Sequence, residues 1–232
     1  MASRKIILLA SFLVLITSIQ AQQSATYSND LVDYQKALTL YNNKQYLAAQ
    51  SLFDQIQDTA ENEQLESDCA YYMANCAVRL NQQNADDQIQ KFVDTYPTST
   101  KRNTAFLDVA DYYFTNEKYA YARKWYEKVD ENSISRSERD HFYFNYGYSL
   151  YASNNKVGAQ KYLNRVVNSK EYGSQAKYYI GFMAYEGDDY EKANEYFEQV
   201  SDNEKYKEKL SYYQADLNFK LGNFEKAITL AK

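Results

Sequence analysis

Two amphipathic patterns joined by a polar turn occupy residues 106–129 and constrain the fold more than any other stretch. Apolar residues are spaced by 3, 1 and 3 in the first pattern and by 3, 4 and 3 in the second, so each set lies on one helical face. The sets are Phe106, Val109, Ala110 and Tyr113, then Tyr119, Ala122, Tyr126 and Val129. Residues 115–118 between them are polar, so the sequence predicts an antiparallel helical hairpin. Ala110 and Ala122, small among large neighbours, mark points where the two backbones approach closely.

The same pattern of large and small residues recurs along the chain. In the first helix the small position is occupied by Ala110, Gly147, Gly181 and Ala215, at intervals of 37, 34 and 34 residues. In the second helix it is occupied by Ala122, Ala159, Ala193 and Ala227, at the same intervals. Ala37 and Ala74 occupy the small position of two earlier first helices. Repetition at a fixed period predicts stacked helical hairpins rather than one globular core.

Helix–turn–helix repeats of about 34 residues are typical of tetratricopeptide repeats, and the chain from residue 30 onward resembles that family. The resemblance implies an all-α, right-handed superhelical solenoid of about five and a half repeats. These are expected near residues 30–63, 67–100, 103–136, 140–173, 174–207 and 208–232, the last one incomplete. The incomplete repeat predicts that this is the N-terminal part of a longer chain. Tyr96-Pro97-Thr98-Ser99 is also similar to the Tyr-Pro-x-Ser ending common in periplasmic assembly factors of the family.

The first 21 residues have the pattern of a secretory signal peptide. Arg4 and Lys5 are followed by an apolar run over residues 6–16 and by Ala21 at the expected cleavage site. Residues 22–29 are then a polar linker. An uncleaved anchor is the alternative, although the run is shorter than the roughly 20 residues of a membrane span. No Cys lies near the cut, which argues against a lipoprotein anchor. We expect a periplasmic or secreted protein with no integral span after cleavage, and peripheral membrane association stays open.

Residues suited to catalysis are scarce, so the sequence predicts no enzyme, no metal site and no cofactor. His141 is the single histidine, and it is either a lone groove contact or, as we favour, an ordinary solvated helix residue. Cys69 and Cys76 lie two helical turns apart, beyond disulfide reach, and are expected to be buried. The formal charge of −5 becomes −7 when Arg4 and Lys5 are removed, which argues against nucleic acid as a partner.

Aromatic residues give the most informative functional pattern. The resemblance implies that the first helices line a concave groove, in which one row of residues lies three positions before the small residue and another four positions after it. The candidate peptide-binding residues in and between these rows are Tyr34, Tyr41, Tyr71, Phe114, Phe144, Tyr148, Tyr151, Tyr178, Phe182, Tyr185, Tyr212 and Phe219. The alternative is that these rings pack between neighbouring hairpins.

The predicted function is a non-enzymatic protein–protein interaction scaffold of the cell envelope, binding a partner protein or peptide in that groove. The resemblance implies a role in an outer-membrane assembly, secretion or motility complex without choosing among them. Two alternatives remain, a recognition module of a longer envelope enzyme and a peptidoglycan-binding or other glycan-binding protein.

Overall fold

The computed structural model describes residues 30–102 and 104–231, so the predicted signal peptide and linker lie outside the described residues. The chain forms two compact units, one ending at Ala105 and the other beginning at Phe106, and each is considered by itself. Twelve α-helices and two short 3-10 turns make up the regular structure of the described residues, which contain no strand. The all-α prediction is therefore confirmed.

The helices are named in chain order. Unit one contains α1 (30–42), α2 (Tyr46–Thr59), α3 (Glu63–Arg79) and α4 (Ala85–Thr95). Unit two contains α5 (Ala105–Thr115, whose first residue ends unit one), α6 (Tyr119–Tyr126), α7 (Arg139–Ala152), α8 (Lys156–Leu163), α9 (Gly173–Tyr185), α10 (Tyr190–Glu198), α11 (Lys207–Lys220) and α12 (Phe224–Leu230). The 3-10 turns are Glu131–Ser133 and Asn164–Val166.

Neighbouring helices pack as a chain of hairpins. In unit two α7 packs against α8, α9 against α10 and α11 against α12, while α6 contacts α7 and α10 contacts α11. In unit one α2 packs against α3, and α3 against α4. Within each unit, neighbouring hairpins therefore pack against one another, as in a tetratricopeptide solenoid. The repeat boundaries themselves stay a prediction, and repeats one to six are used below as labels for the six helix pairs.

Every hairpin turns through one residue in the left-handed region, seven positions after the small residue of its first helix. These six residues have φ between +54° and +79°, and they are Lys44, Asn81, Glu117, Asn154, Asp188 and Gly222. The next residue donates its N–H to the carbonyl five positions earlier, as in the 3.0 Å bond from Asp189 to Ala184. This hydrogen bond caps the end of the first helix. Five of the six turns adopt this geometry without glycine, so the turn position has no single residue type that marks it in the sequence.

The small residues do lie at close approaches between paired helices. A Cβ on Gly147 would lie 2.9 Å from Leu163 Cγ, and a Cβ on Gly181 would lie 2.6 Å from Phe197 Cε1. Both distances are shorter than real Cβ contacts, so a larger residue would force the paired helices apart. Ala122, Ala159 and Ala193 on the second helices have no exposed surface. The prediction of close approach at these positions is confirmed.

The two cysteines and the single tryptophan contribute to packing. Cys69 and Cys76 are both buried free thiols, as predicted, and burial raises the pKa of each to about 12. Trp125 is 2% exposed and its ring centroid lies 5.8 Å from that of Phe106. In the part of the chain that the structure describes, no helix combines the length and apolar character needed to cross a membrane.

Candidate functional site

The predicted groove residues of unit one form a compact aromatic cluster on α1 and α3. Tyr34 and Tyr41 are half-buried, whereas Tyr71 is buried. The rings meet around Tyr72, whose centroid lies 4.9 Å from that of Tyr71 and 5.0 Å from that of Tyr41. The guanidinium of Arg79 lies 5.1 Å from the centre of the Tyr41 ring, so a cation also covers this cluster. Much of the cluster is thus committed to packing within the unit.

Unit two carries a longer series of rings, which we call the aromatic row. Its members are Phe114, Tyr119, Phe144, Tyr148, Tyr151, Tyr178, Tyr179, Phe182, Tyr185 and Tyr213. Tyr148 is central, with its centroid 4.8 Å from those of both Tyr119 and Tyr179. Phe144 is buried beneath its neighbours, while the other members are half-buried. The row is continuous and presents part of each half-buried ring to solvent.

Two predicted groove residues of unit two lie outside the aromatic row. Tyr212 and Phe219 on α11 are 73% and 63% exposed. Phe219 contacts Phe224 of α12 at 5.5 Å between ring centroids. They occupy the positions of Tyr178 and Tyr185 in the preceding repeat, but no later hairpin covers them among the described residues.

A pocket of about 470 Å³ opens in the aromatic row. Its lining residues come from α7, α9 and α11, and they are Tyr151, Tyr178, Tyr179, Phe182, Lys209 and Tyr213. We call this the aromatic pocket. Three successive first helices supply its walls. Its volume falls in the range of roughly 300–1,000 Å³ that is typical of ligand sites.

The aromatic residues two positions before the small residue are not among the predicted groove residues. Tyr72, Tyr179 and Tyr213 all occupy this position, and each contacts several predicted groove rings. They follow directly after Tyr71, Tyr178 and Tyr212 in the predicted row. The same helix position carries an aromatic residue in repeats two, five and six, and this recurrence is the signal that identifies these rings in the sequence.

Three tyrosines of the aromatic pocket, Tyr151, Tyr178 and Tyr179, carry hydroxyl groups that remain protonated near neutral pH because their pKa is raised. Burial is the main cause that raises the pKa of Tyr151 to about 12, and burial also raises the pKa of Tyr178 and Tyr179 above the usual range. Neutral phenols can both donate and accept hydrogen bonds. The pocket therefore combines apolar ring faces with polar edges.

His141 was predicted to be an ordinary solvated residue, but its side chain forms specific contacts in the structure. Its Nε2 lies 3.0 Å from Asp111 Oδ1 and its Nδ1 lies 3.1 Å from the hydroxyl of Tyr172. The buried Tyr126 donates its hydroxyl to the same Asp111 oxygen at 2.5 Å, and Asn145 donates its amide to that oxygen at 3.3 Å. The hydrogen bond to Asp111 is the main cause that raises the pKa of His141. We call these five residues the His141 network, and it joins α5, α6 and α7 to Tyr172, the residue directly before α9.

Comparisons with known proteins agree with this architecture. The family model for the tetratricopeptide repeat matches residues 68–99 and 175–204. No curated protein matches the chain significantly. Among solved structures, the C-terminal part of a TPR repeat-containing protein from Cytophaga hutchinsonii is similar, with 18% identity, coverage of 87% of this chain and 80% of that one, and a TM-score of 0.66.

Two further solved structures are similar at the level of the fold. One is YrrB, described as a TPR protein with an unusual peptide-binding site. It is 18% identical, the alignment covers 77% of this chain and 88% of YrrB, and the TM-score is 0.55. The other is a tetratricopeptide repeat protein from Parabacteroides merdae. It is 14% identical, the alignment covers 87% of this chain and 77% of that protein, and the TM-score is 0.56. Identities this low support the fold alone.

Proposed function

We propose that this chain, which contains tetratricopeptide repeats, is a non-enzymatic scaffold that binds a partner protein or peptide along the aromatic row of unit two. The observation that carries the proposal is the aromatic pocket, where three first helices place five rings around one opening. Tyrosine offers a large, rigid contact area and a hydroxyl group, a combination that is enriched where proteins bind one another. Peptide binding by YrrB makes the same use of the fold a reasonable hypothesis for this chain.

The predicted groove residues of the pocket suit binding better than those of unit one. Tyr151, Tyr178 and Phe182 keep part of their surface exposed on the pocket walls. In unit one Tyr71 is buried, and cations already cover Tyr41 and Tyr71. We therefore place the principal contact in unit two, with Phe182 and Tyr213 as the central residues.

A paired substitution tests this proposal. Phe182→Leu combined with Tyr213→Leu removes two adjoining rings, 4.6 Å apart, while keeping apolar side chains that preserve folding. Partners would first be identified by cross-linking in the native envelope, and the affinity of a purified partner would then be measured. We expect the double variant to bind at least about ten-fold more weakly, because central aromatic residues dominate interfaces.

Tyr121→Leu provides the matched control. Tyr121 lies on the second helix α6 and is 53% exposed, outside the aromatic row. Its replacement should leave the affinity unchanged. If the folded double variant bound the partner as well as the unmodified chain does, the aromatic row would not be the binding surface.

We further propose that the protein is exported and acts in the cell envelope, within an outer-membrane assembly, secretion or motility complex. The basic start at Arg4 and Lys5, the apolar run and Ala21 support export. Intact-mass measurement on protein from the native host tests it. Loss of residues 1–21 is the expected result, and a mass that retains them would contradict cleavage.

A further inference from the structure

The rings that line the aromatic pocket lie at steep angles to one another and do not form a flat platform. Tyr178 and Tyr179 meet at an interplanar angle of 83°, and Phe182 and Tyr213 meet at 81°. Rings at right angles present a face on one side and an edge on the next. Such walls suit an apolar side chain that enters end-on, whereas a sugar ring stacks best on one exposed ring face.

The hydroxyl groups of the pocket have unused hydrogen-bonding capacity. Within the described chain, the hydroxyls of Tyr151, Tyr178 and Tyr213 form no hydrogen bond. The rings of Tyr178 and Tyr213 pack against the apolar core and against neighbouring rings. A peptide that crosses the opening can offer backbone N–H and C=O groups to them. The polar rim therefore matches an extended backbone on either side of the inserted side chain.

The charge at the opening is positive and uncompensated. Two neighbouring ion pairs are neutral overall, Lys156 with Glu186 at 3.0 Å and Lys220 with Asp216 at 2.8 Å. Lys209 is the one charged residue in the pocket lining, and it forms no ion pair or hydrogen bond with any described residue. A cationic ligand would be repelled here, whereas a carboxylate would be attracted.

We propose that the aromatic pocket binds a partner peptide through one apolar side chain whose neighbouring residue is acidic. The apolar side chain enters between Tyr178, Phe182 and Tyr213, and the carboxylate of the adjacent Asp or Glu faces Lys209. This inference rests on the proposed function and specifies which peptides the groove selects.

A matched peptide series tests the selection. Labelled peptides of equal length carry a single Leu in a Gly and Ser background, preceded by Glu, Gln or Lys, and fluorescence anisotropy measures their binding to the full chain. We expect the Glu peptide to bind about five-fold more tightly than the Gln peptide, with the Lys peptide weakest, because one partly exposed ion pair contributes only modestly. The preference should decrease as salt is added.

Variants of Lys209 assign the preference to this residue. Lys209→Gln should make the Glu and Gln peptides equal, and Lys209→Glu should favour the Lys peptide. The control is Lys207→Gln, since Lys207 lies two residues away and contacts Glu204 at 3.9 Å outside the pocket. Both lysines are exposed, so the variants should fold. A Glu preference that survives in Lys209→Gln would overturn the inference.

The remaining outcomes separate this inference from the proposed function. The Glu, Gln and Lys peptides could bind the unmodified chain with equal affinity, and Phe182→Leu with Tyr213→Leu could lower the affinity for all three. That result would support the aromatic row as the binding surface and would contradict the preference for an acidic residue. If a set of β-linked glycans binds the pocket and no peptide of the series binds below about 1 mM, both peptide proposals fall. Absence of any binding in the series also overturns the selection.

Discussion

Repeats five and six of unit two carry similar residues at the same positions, but only those of repeat five are covered. Tyr178 stacks on Tyr206 with centroids 4.4 Å apart, whereas Tyr212, at the equivalent position, is 73% exposed. Tyr185 packs on Tyr213 and donates its hydroxyl to Asp216 at 2.5 Å, whereas Phe219 is 63% exposed. The helix places each side chain, but the following hairpin determines whether it is buried.

Aromatic residues at the same repeat position therefore fall into two classes, those covered by the next hairpin and those left exposed. A ring covered by the next hairpin contributes mainly to stability, and its exposed edge contributes to the groove. A ring on an uncovered face contributes little to the stability of its own repeat. The predictions below test this distinction, beginning with the largest expected effect.

The close approach inside repeat five gives the largest expected effect. Gly181→Leu places a side chain where a Cβ would already lie 2.6 Å from Phe197, so we expect the free energy of unfolding to fall by about 3 kcal/mol. Ala215→Leu at the equivalent position of repeat six should cost less than about 1 kcal/mol, because Ala215 is only half-buried. Denaturant unfolding of both variants measures the contrast. Equal losses would mean that the two repeats pack alike.

Truncating the paired tyrosines compares the covered and uncovered faces directly. Tyr178→Ala removes the stack on Tyr206 and the contact with Phe182, and we expect a loss of about 2 kcal/mol. Tyr212→Ala should cost less than about 0.5 kcal/mol, as is usual for exposed residues. A comparable loss for Tyr212→Ala would show that another surface covers α11 in solution.

The turns of the two repeats provide a smaller, purely conformational contrast. Gly222 has φ of +79° and open space around its Cβ position, so Gly222→Ala adds backbone strain without a clash. We expect a loss of about 1 kcal/mol, the cost of placing Cβ in the left-handed region. Gly187, in the turn of repeat five, does not have a positive φ. Gly187→Ala should therefore change the free energy of unfolding by less than about 0.5 kcal/mol. Thermal unfolding of both variants checks the difference, and a harmless Gly222→Ala would contradict the left-handed turn.

The sequence predicts the hairpins and close approaches because period and side-chain size follow directly from helix geometry. Gly147 and Gly181 could be assigned to close approaches for this reason, and the structure confirms them. Residues such as Glu117 in the left-handed turns could not be recognised, because five of the six are not glycine.

Burial within the candidate site was harder to predict than its location on the helices. Phe144 and Tyr151 belong to the two predicted rows of one helix, yet Phe144 is buried and Tyr151 lines the pocket. Tyr179 was missed, since its position is aromatic in only some repeats. The role of His141 depends on Asp111 and Tyr172, which are distant in sequence and meet it only through stacking of the hairpins.

The junction of repeats three and four extends the comparison, because it contains the His141 network beside its part of the aromatic row. His141 faces Asp111, and Glu138 and Glu171 add negative charge near it, so its pKa is raised. A raised pKa means that the charged histidine stabilises the fold fully below its unfolded pKa of about 6.5. This stabilisation is lost as the pH rises through the folded pKa. The junction of repeats five and six contains Asp216, whose pKa is lowered chiefly by its hydrogen bond with Lys220, so its contribution is lost only as the pH falls.

The stability of His141→Gln should therefore be compared with that of the unmodified chain between about pH 6 and pH 8. In this range only the junction of repeats three and four should respond to pH. We expect the difference in unfolding free energy between the two proteins to be below about 1 kcal/mol, because the side chains of His141 and Asp111 are 40% and 29% exposed. This difference should shrink as the pH rises. Asp216→Asn serves as the control, and its effect should stay constant over the same pH range. A His141→Gln effect that does not change with pH would mean that Asp111 is held by Tyr126 and Asn145 alone, without help from a charged histidine.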